Sequence, residues 1–308
     1  MEAVPATNAL TVDLEEYFQV SNFDQVISRD DWGSLPSRAP DHARRLMDCF
    51  EAESRRATFF TLGWVAERQP ALLREIVDRG HEVACHGYGH ELVYALGEER
   101  FRADLRRAKA TLEDATGSAV LGYRAPSYSI TMDSLWALRV LAEEGFEYDS
   151  SIFPIRHYRY GIPDFVRHPT RLDLGGGLSI DEFPLTTLQV RGVKLPVAGG
   201  AYLRFLPFSF FRWAFGRATS DGAPGVLYLH PWEIDPDQPR QEVSTLTRIN
   251  HYYNLGGVER RVARLVQEFD FAPMADVLHT LETSMQLPTS ALEEAVNATL
   301  HPSAAYAS

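Results

Sequence analysis

Short apolar runs rich in β-branched and aromatic residues recur along the chain and are separated by longer amphipathic stretches. Each run has the length and composition of a strand buried on both faces. The runs cover residues 9–14, 57–62, 82–85, 120–123, 146–148 and 226–229. The pattern therefore predicts at least six buried strands.

Helical periodicity fills the intervals between the first strands. In residues 70–79, Leu73, Ile76 and Val77 form one apolar stripe. The same kind of pattern covers residues 104–115 and 134–144. Because strands and helices alternate, we expect parallel βα units and an α/β fold built as a barrel or an open sheet.

A stretch rich in glycine and proline breaks this alternation at about residues 152–207. It contains Gly175-Gly176-Gly177 and Gly199-Gly200 around short β-like pieces such as residues 185–190. A long irregular segment of this kind is typical of functional loops. We interpret it as an insertion near the active-site mouth that serves as a lid or a substrate wall.

The C-terminal part of the chain returns to helical patterns over residues 258–269 and 274–281. The segment 285–308 is small and polar enough to be weakly ordered or helical. We therefore expect a single catalytic domain over residues 1–284, followed by this tail.

Composition narrows the possible functions. The chain has 308 residues, 45% of them hydrophobic, which is enough to bury a sizeable core. A formal net charge of -12 argues against nucleic acid, because phosphate binding needs clustered basic residues. The sequence has no apolar run of the roughly 20 residues that span a bilayer, and it begins without a secretory signal pattern, which predicts a cytoplasmic location. The two cysteines, Cys49 and Cys85, are expected to be buried thiols.

The residues with useful chemistry lie at or just beyond the ends of predicted strands, where active sites of parallel α/β folds are found. They are Asp13, Glu15, His86, His90, Arg124, Asp149 and His230. The remaining histidines have no partner at ligand spacing and are interpreted as structural or exposed.

Four of these residues suggest a metal site. His86 and His90 are four residues apart in a glycine-containing loop, and an extended Asp13-Leu14-Glu15 directs both carboxylates to one side of the chain. One carboxylate can bind a metal while the other serves as a base. Two histidines and one carboxylate suit zinc hydrolysis and redox iron equally, so the ligands alone do not choose between them.

Five short motifs occur in the order that characterises one enzyme family. They are Thr11-Val12-Asp13-Leu14-Glu15, the pair His86 and His90, Arg124-Ala125-Pro126, Tyr148-Asp149-Ser150-Ser151, and Leu227-Tyr228-Leu229-His230-Pro231-Trp232. With them, residues 8–235 resemble the polysaccharide deacetylases, whose catalytic domain is called the NodB homology domain or carbohydrate esterase family 4. The resemblance implies a distorted (β/α) barrel with C-terminal helices.

The resemblance also implies a role for each motif. Asp13 would be the base, Arg124 would tether it, and His230, oriented by Asp149, would be the general acid. The metal ligands would be Glu15, His86 and His90, with Glu16 as a less favoured substitute for Glu15. The metal would be Zn²⁺ or another divalent ion such as Co²⁺, Ni²⁺ or Fe²⁺.

The chain departs from the family pattern in two ways that affect the metal site. Glu15 stands where the family normally has an aspartate ligand, and Gly87 stands where it commonly has Ser or Thr. Loss of that hydroxyl is expected to loosen the histidine loop without removing a ligand.

A narrower likeness is to the deacetylases associated with exopolysaccharide and exosortase systems. It rests on residues 11–20, 199–204, 230–235 and 248–255. It implies an N-acetylated extracellular polysaccharide as substrate and an association with a membrane assembly machinery. The candidate substrate-binding residues are Pro126, Ser127, Tyr128, Tyr202, Arg204 and Trp232.

Two other functions remain open at this stage. The same fold and ligand spacing serve hydrolases of small amides or cyclic ureides. Alternatively, because Glu15 departs from the family pattern, the chain could be a carbohydrate-binding or assembly protein that has lost catalysis.

Overall fold

The structure is a computed structural model that describes residues 7–220, 223–284 and 287–296. Within them, the strands are β1 (Asn8–Leu14), β2 (Thr58–Thr61), β3 (Glu82–Cys85), β4 (Gly122–Tyr123), β5 (Tyr148–Asp149), β6 (Thr170–Asp173), β7 (Ser179–Glu182), β8 (Thr187–Val190), β9 (Val193–Pro196), β10 (Val226–Leu229), β11 (Phe271–Ala272) and β12 (Thr289–Ala291). The helices are α1 (Ala39–Glu51), α2 (Gly63–Arg68), α3 (Pro70–Asp78), α4 (Val93–Leu96), α5 (Glu98–Thr116), α6 (Trp136–Glu143), α7 (Gly200–Phe205), α8 (Phe208–Ala218), α9 (Thr245–Tyr252), α10 (Leu255–Glu268), α11 (Met274–Thr283) and α12 (Leu292–Val296).

The principal sheet confirms the predicted α/β fold. Its strand order is β10-β1-β2-β3-β4-β5-β7-β6-β12, with β11 also pairing β1, and the pairings from β10 to β7 are all parallel. All seven residues of β1 are buried, because strands on both sides and helices around the sheet cover it. The carboxyl ends of β1, β3, β4 and β10 therefore meet at one edge.

The sheet is strongly curved, and a segment of the chain joins its β7 side to β10. The amide of Val197 donates to the carbonyl of Thr186, beyond β7, and the amide of Tyr228 in β10 donates to the carbonyl of Ala198. Gly199 permits this approach, because a Cβ there would lie 2.0 Å from the Tyr228 carbonyl oxygen. These contacts complete a distorted (β/α) barrel.

The predicted helices are present with shifted ends. Helix α5 begins at Glu98 rather than at residue 104, and α6 begins at Trp136 after a short 3-10 turn. Its buried residues Phe101, Leu105 and Leu112 place α5 against the core. The C-terminal patterns form α10 and α11.

The glycine-rich region 152–207 contains more regular structure than its sequence suggests. Strands β6 and β7 pair antiparallel and extend the main sheet, whereas β8 and β9 form a separate hairpin. In the described part of the predicted tail, β12 pairs with β6 and is followed by the helix α12. The remaining tail residues, 285–286 and 297–308, lie outside the described residues.

Two expectations from composition can be compared with the described residues. Cys49 and Cys85 are free thiols, the first partly and the second fully buried. A helix of sufficient length and apolarity to cross a bilayer is not found in the described part of the chain.

Candidate metal centre and active site

The end of β1 carries two acidic residues whose side chains go to different places. Glu15 is buried and faces the same pocket as Asp13. The Glu16 carboxylate accepts hydrogen bonds from the amides of Arg38 and Ala39 at 2.8 and 3.0 Å, so it caps the N-terminus of α1. The carboxylate that reaches the pocket is therefore Glu15.

The loop after β3 brings the two histidines together. Gly87 adopts a φ of 76° and His90 a φ of 53°, a left-handed conformation that is uncommon for a residue with a side chain. The Asp104 carboxylate on α5 accepts a hydrogen bond from the Tyr88 amide at 3.0 Å, and the Gly87 carbonyl accepts one from the Gly63 amide. These bonds hold the loop without a hydroxyl at position 87.

Glu15, His86 and His90 offer one ligand atom each within 4.8 Å of one another, and all three residues are buried. Glu15 Oε2 lies 2.9 Å from His90 Nε2. The two atoms nevertheless lack hydrogen-bond alignment, and Oε2 has no other hydrogen-bond partner among the described residues. Ligand atoms from three buried residues this close together, one of them an unpartnered carboxylate oxygen, fit a shared cation, which would compensate the cost of burying them.

The protonation states suit metal ligands. The Nδ1–H of His86 donates to the Arg124 carbonyl at 2.8 Å, so Nε2 presents its lone pair to the cluster. Burial lowers the pKa of His86 to about 4. Burial raises the pKa of Glu15, but His90, His230 and His86 outweigh it and lower that pKa to about 2. At neutral pH the set therefore contains a neutral imidazole and an ionised carboxylate.

A buried arginine holds one oxygen of the Asp13 carboxylate. Nη1 of Arg124 lies 2.7 Å from Asp13 Oδ1 and 2.8 Å from the hydroxyl of Thr11, while its Nε and Nη2 donate to the carbonyl and hydroxyl of Ser150. Asp13 Oδ2 remains directed toward His230, whose Nε2 is 3.8 Å away. One carboxylate oxygen is thus held in place and the other faces the pocket.

His230 follows β10 and is oriented by a residue three positions later. Its Nδ1 is 3.1 Å from Glu233 Oε2, and the other Glu233 oxygen accepts a hydrogen bond from Arg204 Nε at 2.8 Å. Burial lowers the pKa of His230, but Glu233, Glu15 and Asp13 outweigh it and raise that pKa to about 9. The Nε2 of His230 faces Asp13 and Glu15, each at 3.8 Å.

The expectation that Asp149 orients His230 is wrong, because Asp149 is engaged elsewhere. Its carboxylate accepts hydrogen bonds from the hydroxyl and amide of Ser151, and the carboxyl group of Glu182 adjoins it. Burial raises the pKa of Asp149 to about 6. Burial and the neighbouring Asp149 charge raise the pKa of Glu182 well above its usual range. Asp149 therefore belongs to a buried carboxyl pair beneath the site.

Trp232 supports the metal cluster. Its indole Nε1–H donates to Glu15 Oε1 at 3.1 Å. Its ring stacks on His230, with centroids 4.9 Å apart, and on His251, with centroids 4.3 Å apart. These contacts leave Trp232 7% exposed, so it orients Glu15 and His230 more directly than it offers a free face to a ligand.

One cavity of about 460 Å³ contains the metal cluster, Asp13 and His230. Of the residues predicted to bind substrate, Ser127, Tyr128, Tyr202, Arg204 and Trp232 line it. Pro126 is buried outside the lining. Arg204 is 3% exposed and its guanidinium also donates to the His251 carbonyl, so its charge is already neutralised by Glu233 and is not free for a sugar.

One wall of the cavity is formed by a strained turn. Ser127 and Tyr128 adopt φ values of 52° and 55°, which is unusual for residues with side chains and is often found at functional sites. The Tyr128 amide is bonded to the Ala125 carbonyl at 3.0 Å. The Tyr128 amide is therefore engaged, and the Ser127 amide is the candidate in this turn for binding an oxyanion.

Sequence reasoning missed Glu233 and two residues of the cavity lining, His157 and Asn250. Glu233 could have been found from its i,i+3 spacing to His230 across Pro231, because that spacing lets a short turn bring both side chains together. His157 and Asn250 also line the cavity. Nothing local in the sequence distinguishes them, since they reach the site from distant segments.

Comparison with protein families explains this arrangement. The family described as "Polysaccharide deacetylase" matches residues 22–146. This chain carries a polysaccharide deacetylase domain. A second family, "Domain of unknown function (DUF3473)", matches residues 150–279. The deacetylase segment contributes His86, His90 and Arg124, the DUF3473 segment contributes Arg204, His230 and Glu233, and Asp13 and Glu15 precede both.

Individual relatives of this chain agree with that assignment. A peptidoglycan deacetylase from Helicobacter pylori is 34% identical over 108 residues, which are 35% of this chain and 36% of the relative. The chain matches about a third of the length of such curated relatives. A structure from Mycobacterium smegmatis assigned to the polysaccharide deacetylases superposes with a TM-score of 0.62, at 21% identity and 94% coverage of both chains. The structure of Puue allantoinase gives 0.59, at 18% identity and 91% coverage of both. These two structures share the fold of this chain.

Proposed function

We propose that this chain hydrolyses N-acetyl groups on amino sugars of a bacterial polysaccharide and releases acetate. The observation that carries the proposal is the convergence of Glu15, His86 and His90 in one cavity with Asp13 and His230. The deacetylase family match and the H. pylori relative support the substrate class. The pairing with DUF3473, which occurs in exopolysaccharide-associated deacetylases, favours an exopolysaccharide.

Glu15, His86 and His90 would hold the divalent cation, which we propose to be Zn²⁺. Bound there, such an ion polarises an acetyl carbonyl and lowers the pKa of water. The ion would also satisfy the unpartnered Glu15 Oε2.

Asp13 would accept the proton of the attacking water. Arg124 engages Oδ1 of Asp13 at 2.7 Å, which leaves Oδ2 as the oxygen that takes the proton. The Ser127 amide, in the cavity lining, would donate to the developing oxyanion. Arg124 is therefore a positioning residue in this mechanism.

His230 would protonate the departing amine. Glu233 holds the Nδ1–H, which fixes the ring orientation and leaves Nε2 facing the cavity. Arg204 holds Glu233 in turn through the 2.8 Å contact. A free amino sugar and acetate would be the products.

Metal analysis combined with an acetate-release assay tests the proposal. We expect about one Zn²⁺ per chain, acetate release from N-acetylglucosamine oligomers, and loss of that release after chelation with recovery on adding Zn²⁺. Allantoin serves as the alternative substrate, because a cyclic-ureide hydrolase would open it without releasing acetate. Bound metal with neither reaction would favour a carbohydrate-binding role, and a different stoichiometric metal would contradict the assignment of zinc alone.

A further inference from the structure

Large apolar side chains that face solvent are concentrated in one part of the described chain. Twelve such residues are at least 37% exposed, and eight of them lie between residues 190 and 253. Four of the eight belong to helix α8 and to the β8–β9 hairpin that packs against it, and they are Phe210, Trp213, Val190 and Val193. Single exposed apolar residues are common, but a group of them on neighbouring elements indicates a binding surface.

Helix α8 carries apolar residues on its outward side as well as on its buried side. Phe211, Ala214 and Phe215 are buried against the core. Phe210 and Trp213 lie on the outward side, 37% and 55% exposed, with ring centroids 5.7 Å apart. A surface helix normally directs polar residues to solvent. The outward side of α8 therefore matches an environment that is less polar than water.

The tip of the β8–β9 hairpin adds two further apolar residues. Val190 and Val193 form its last cross-strand pair, so their side chains project from the same face. They are 41% and 59% exposed. Between them, Arg191 adopts a φ of 49° and Gly192 a φ of 82°, the left-handed conformations of a tight two-residue turn. The exposed Arg191 therefore lies at the tip, next to the two valines.

The charge of this region is opposite to that of the whole chain. The chain has a net charge of -12, yet residues 183–220 contain five basic residues and no acidic residue. The basic residues are Arg191, Lys194, Arg204, Arg212 and Arg217. Arg204 and Arg212 are paired with Glu233 and Glu268, and Lys194 donates to backbone carbonyls. Arg191 and Arg217 are exposed beside the apolar residues.

Exposed aromatic rings next to arginines match the surface of a membrane that contains anionic lipids. Trp and Phe partition into the headgroup region, and lipid phosphates attract arginine. An extended anionic surface repels carboxylates everywhere, which fits a long segment without acidic residues, whereas a protein partner selects charges position by position. A second copy of the chain would bring Arg191 and Arg217 toward the same residues across a two-fold axis, which is unfavourable.

We propose that the α8–hairpin face, formed by Val190, Arg191, Val193, Phe210, Trp213 and Arg217, binds the surface of an anionic lipid membrane. The aromatic rings and valines enter the headgroup region, and the two arginines contact lipid phosphates. The inference does not depend on the proposed function, since these residues lie outside the cavity lining. Helix α8 begins three residues after Phe205, which lines the cavity, so membrane binding holds the cavity close to the lipid surface.

Vesicle flotation with the full chain tests this inference. We expect the parent protein to float with vesicles of phosphatidylcholine and phosphatidylglycerol at roughly two to one, and not with vesicles of phosphatidylcholine alone. Raising the salt concentration from about 0.1 M to about 1 M should weaken binding, because salt screens the lipid charges. Trp213→Ser should lower the partition coefficient by roughly 10-fold, and Arg191→Gln should lower it by about 5-fold.

Met132→Ser and Arg100→Gln are the matched controls. Met132 is 53% exposed in the turn before α6, and the Arg100 side chain is 67% exposed on α5. These changes remove comparably exposed groups from other elements, so both variants should bind vesicles with the parental partition coefficient. Thermal unfolding followed by circular dichroism should show the parental Tm in all four variants, because every changed side chain is exposed.

Three outcomes overturn the proposal. They are parental vesicle binding by Trp213→Ser, equal binding of the parent protein to neutral and anionic vesicles, and absence of vesicle binding by the parent protein. In the last case, sedimentation velocity identifies the alternative. A dimer that Trp213→Ser dissociates would assign the α8–hairpin face to a second copy of the chain, and a monomer would assign it to a different protein partner.

Discussion

The Nδ1–H of His230 donates to the Glu233 carboxylate across 3.1 Å, and the two residues are separated by a single 3-10 turn. Burial raises the pKa of Glu233, but His230 and Arg204 outweigh this effect and hold the pKa below its usual value. The carboxylate is therefore ionised at neutral pH. A charged acceptor fixes the tautomer of His230 and stabilises its protonated form.

Glu233→Gln is therefore expected to lower kcat by roughly 10²-fold, because the amide cannot stabilise a protonated imidazole as a carboxylate does. KM and zinc content should change little. Steady-state kinetics and elemental analysis on the same preparation measure these quantities.

Asp149→Asn provides the contrast for that variant. Asp149 bonds Ser151 rather than His230, so its kcat per folded molecule should stay much closer to the parental value. A larger loss of kcat in Asp149→Asn than in Glu233→Gln would contradict the positioning role of Glu233.

Replacing Glu15, His86 or His90 singly with alanine should abolish stoichiometric zinc binding. Zinc affinity should fall by more than the roughly 10- to 100-fold that follows removal of a group hydrogen-bonded to a ligand, because each variant lacks one of the three ligand atoms themselves. Elemental analysis after zinc loading and gel filtration measures retained metal.

Glu16→Ala is the matched control for the metal variants, since it removes an adjacent carboxylate that caps α1. It should retain zinc while lowering the free energy of unfolding by about 1–2 kcal/mol. Zinc loss in Glu16→Ala with retention in Glu15→Ala would reverse the ligand assignment.

Trp232→Phe is expected to weaken zinc binding by roughly 10- to 100-fold while keeping an aromatic ring between His230 and His251. The indole is the group that donates to Glu15 Oε1, and phenylalanine has no donor. Competition titration with a chromogenic chelator measures the affinity. Trp64→Phe, outside the cavity lining, should bind zinc with the affinity of the parent. Equal affinities in the parent and both variants would show that the Trp232 indole does not support zinc binding through Glu15.

The buried Asp149–Glu182 pair should make stability depend on pH. The folded-state pKa of both groups is raised, to about 6 for Asp149, so folding favours the protonated form. This contribution is fully present below about pH 4 and is lost as pH rises through about 6.

Glu182→Gln removes one of the two acids and keeps an amide that can donate to Asp149. Between pH 5 and pH 8 its free energy of unfolding should increase relative to that of the parent by on the order of 1–2 kcal/mol. The Tm difference between the two proteins should rise accordingly. Calorimetry at several pH values measures the shift, with Glu99→Gln as an exposed control. A Tm difference that is constant over this range would show that the pair does not titrate between the folded and unfolded states.

The sequence by itself determined the alternation of strands and helices, and with it the edge where the active site lies. Buried parallel strands require continuous apolar runs, and chain connectivity brings their carboxyl ends to one side, so Asp13, His86, Arg124 and His230 could be placed together before any coordinates. Hydrophobic periodicity located the helices but not their ends, as the earlier start of α5 shows.

Only the tertiary structure decided which side chains touch. Glu15 and Glu16 are neighbours, and the choice between them depends on which side of the chain faces the barrel. The assignment of Glu233 rather than Asp149 to His230 depends on a turn after β10, and the joining of Phe205 to Tyr253 depends on two helices distant in sequence. Local pattern records burial and periodicity, whereas the direction of a side chain beyond a strand end is fixed by packing against segments that the pattern does not specify.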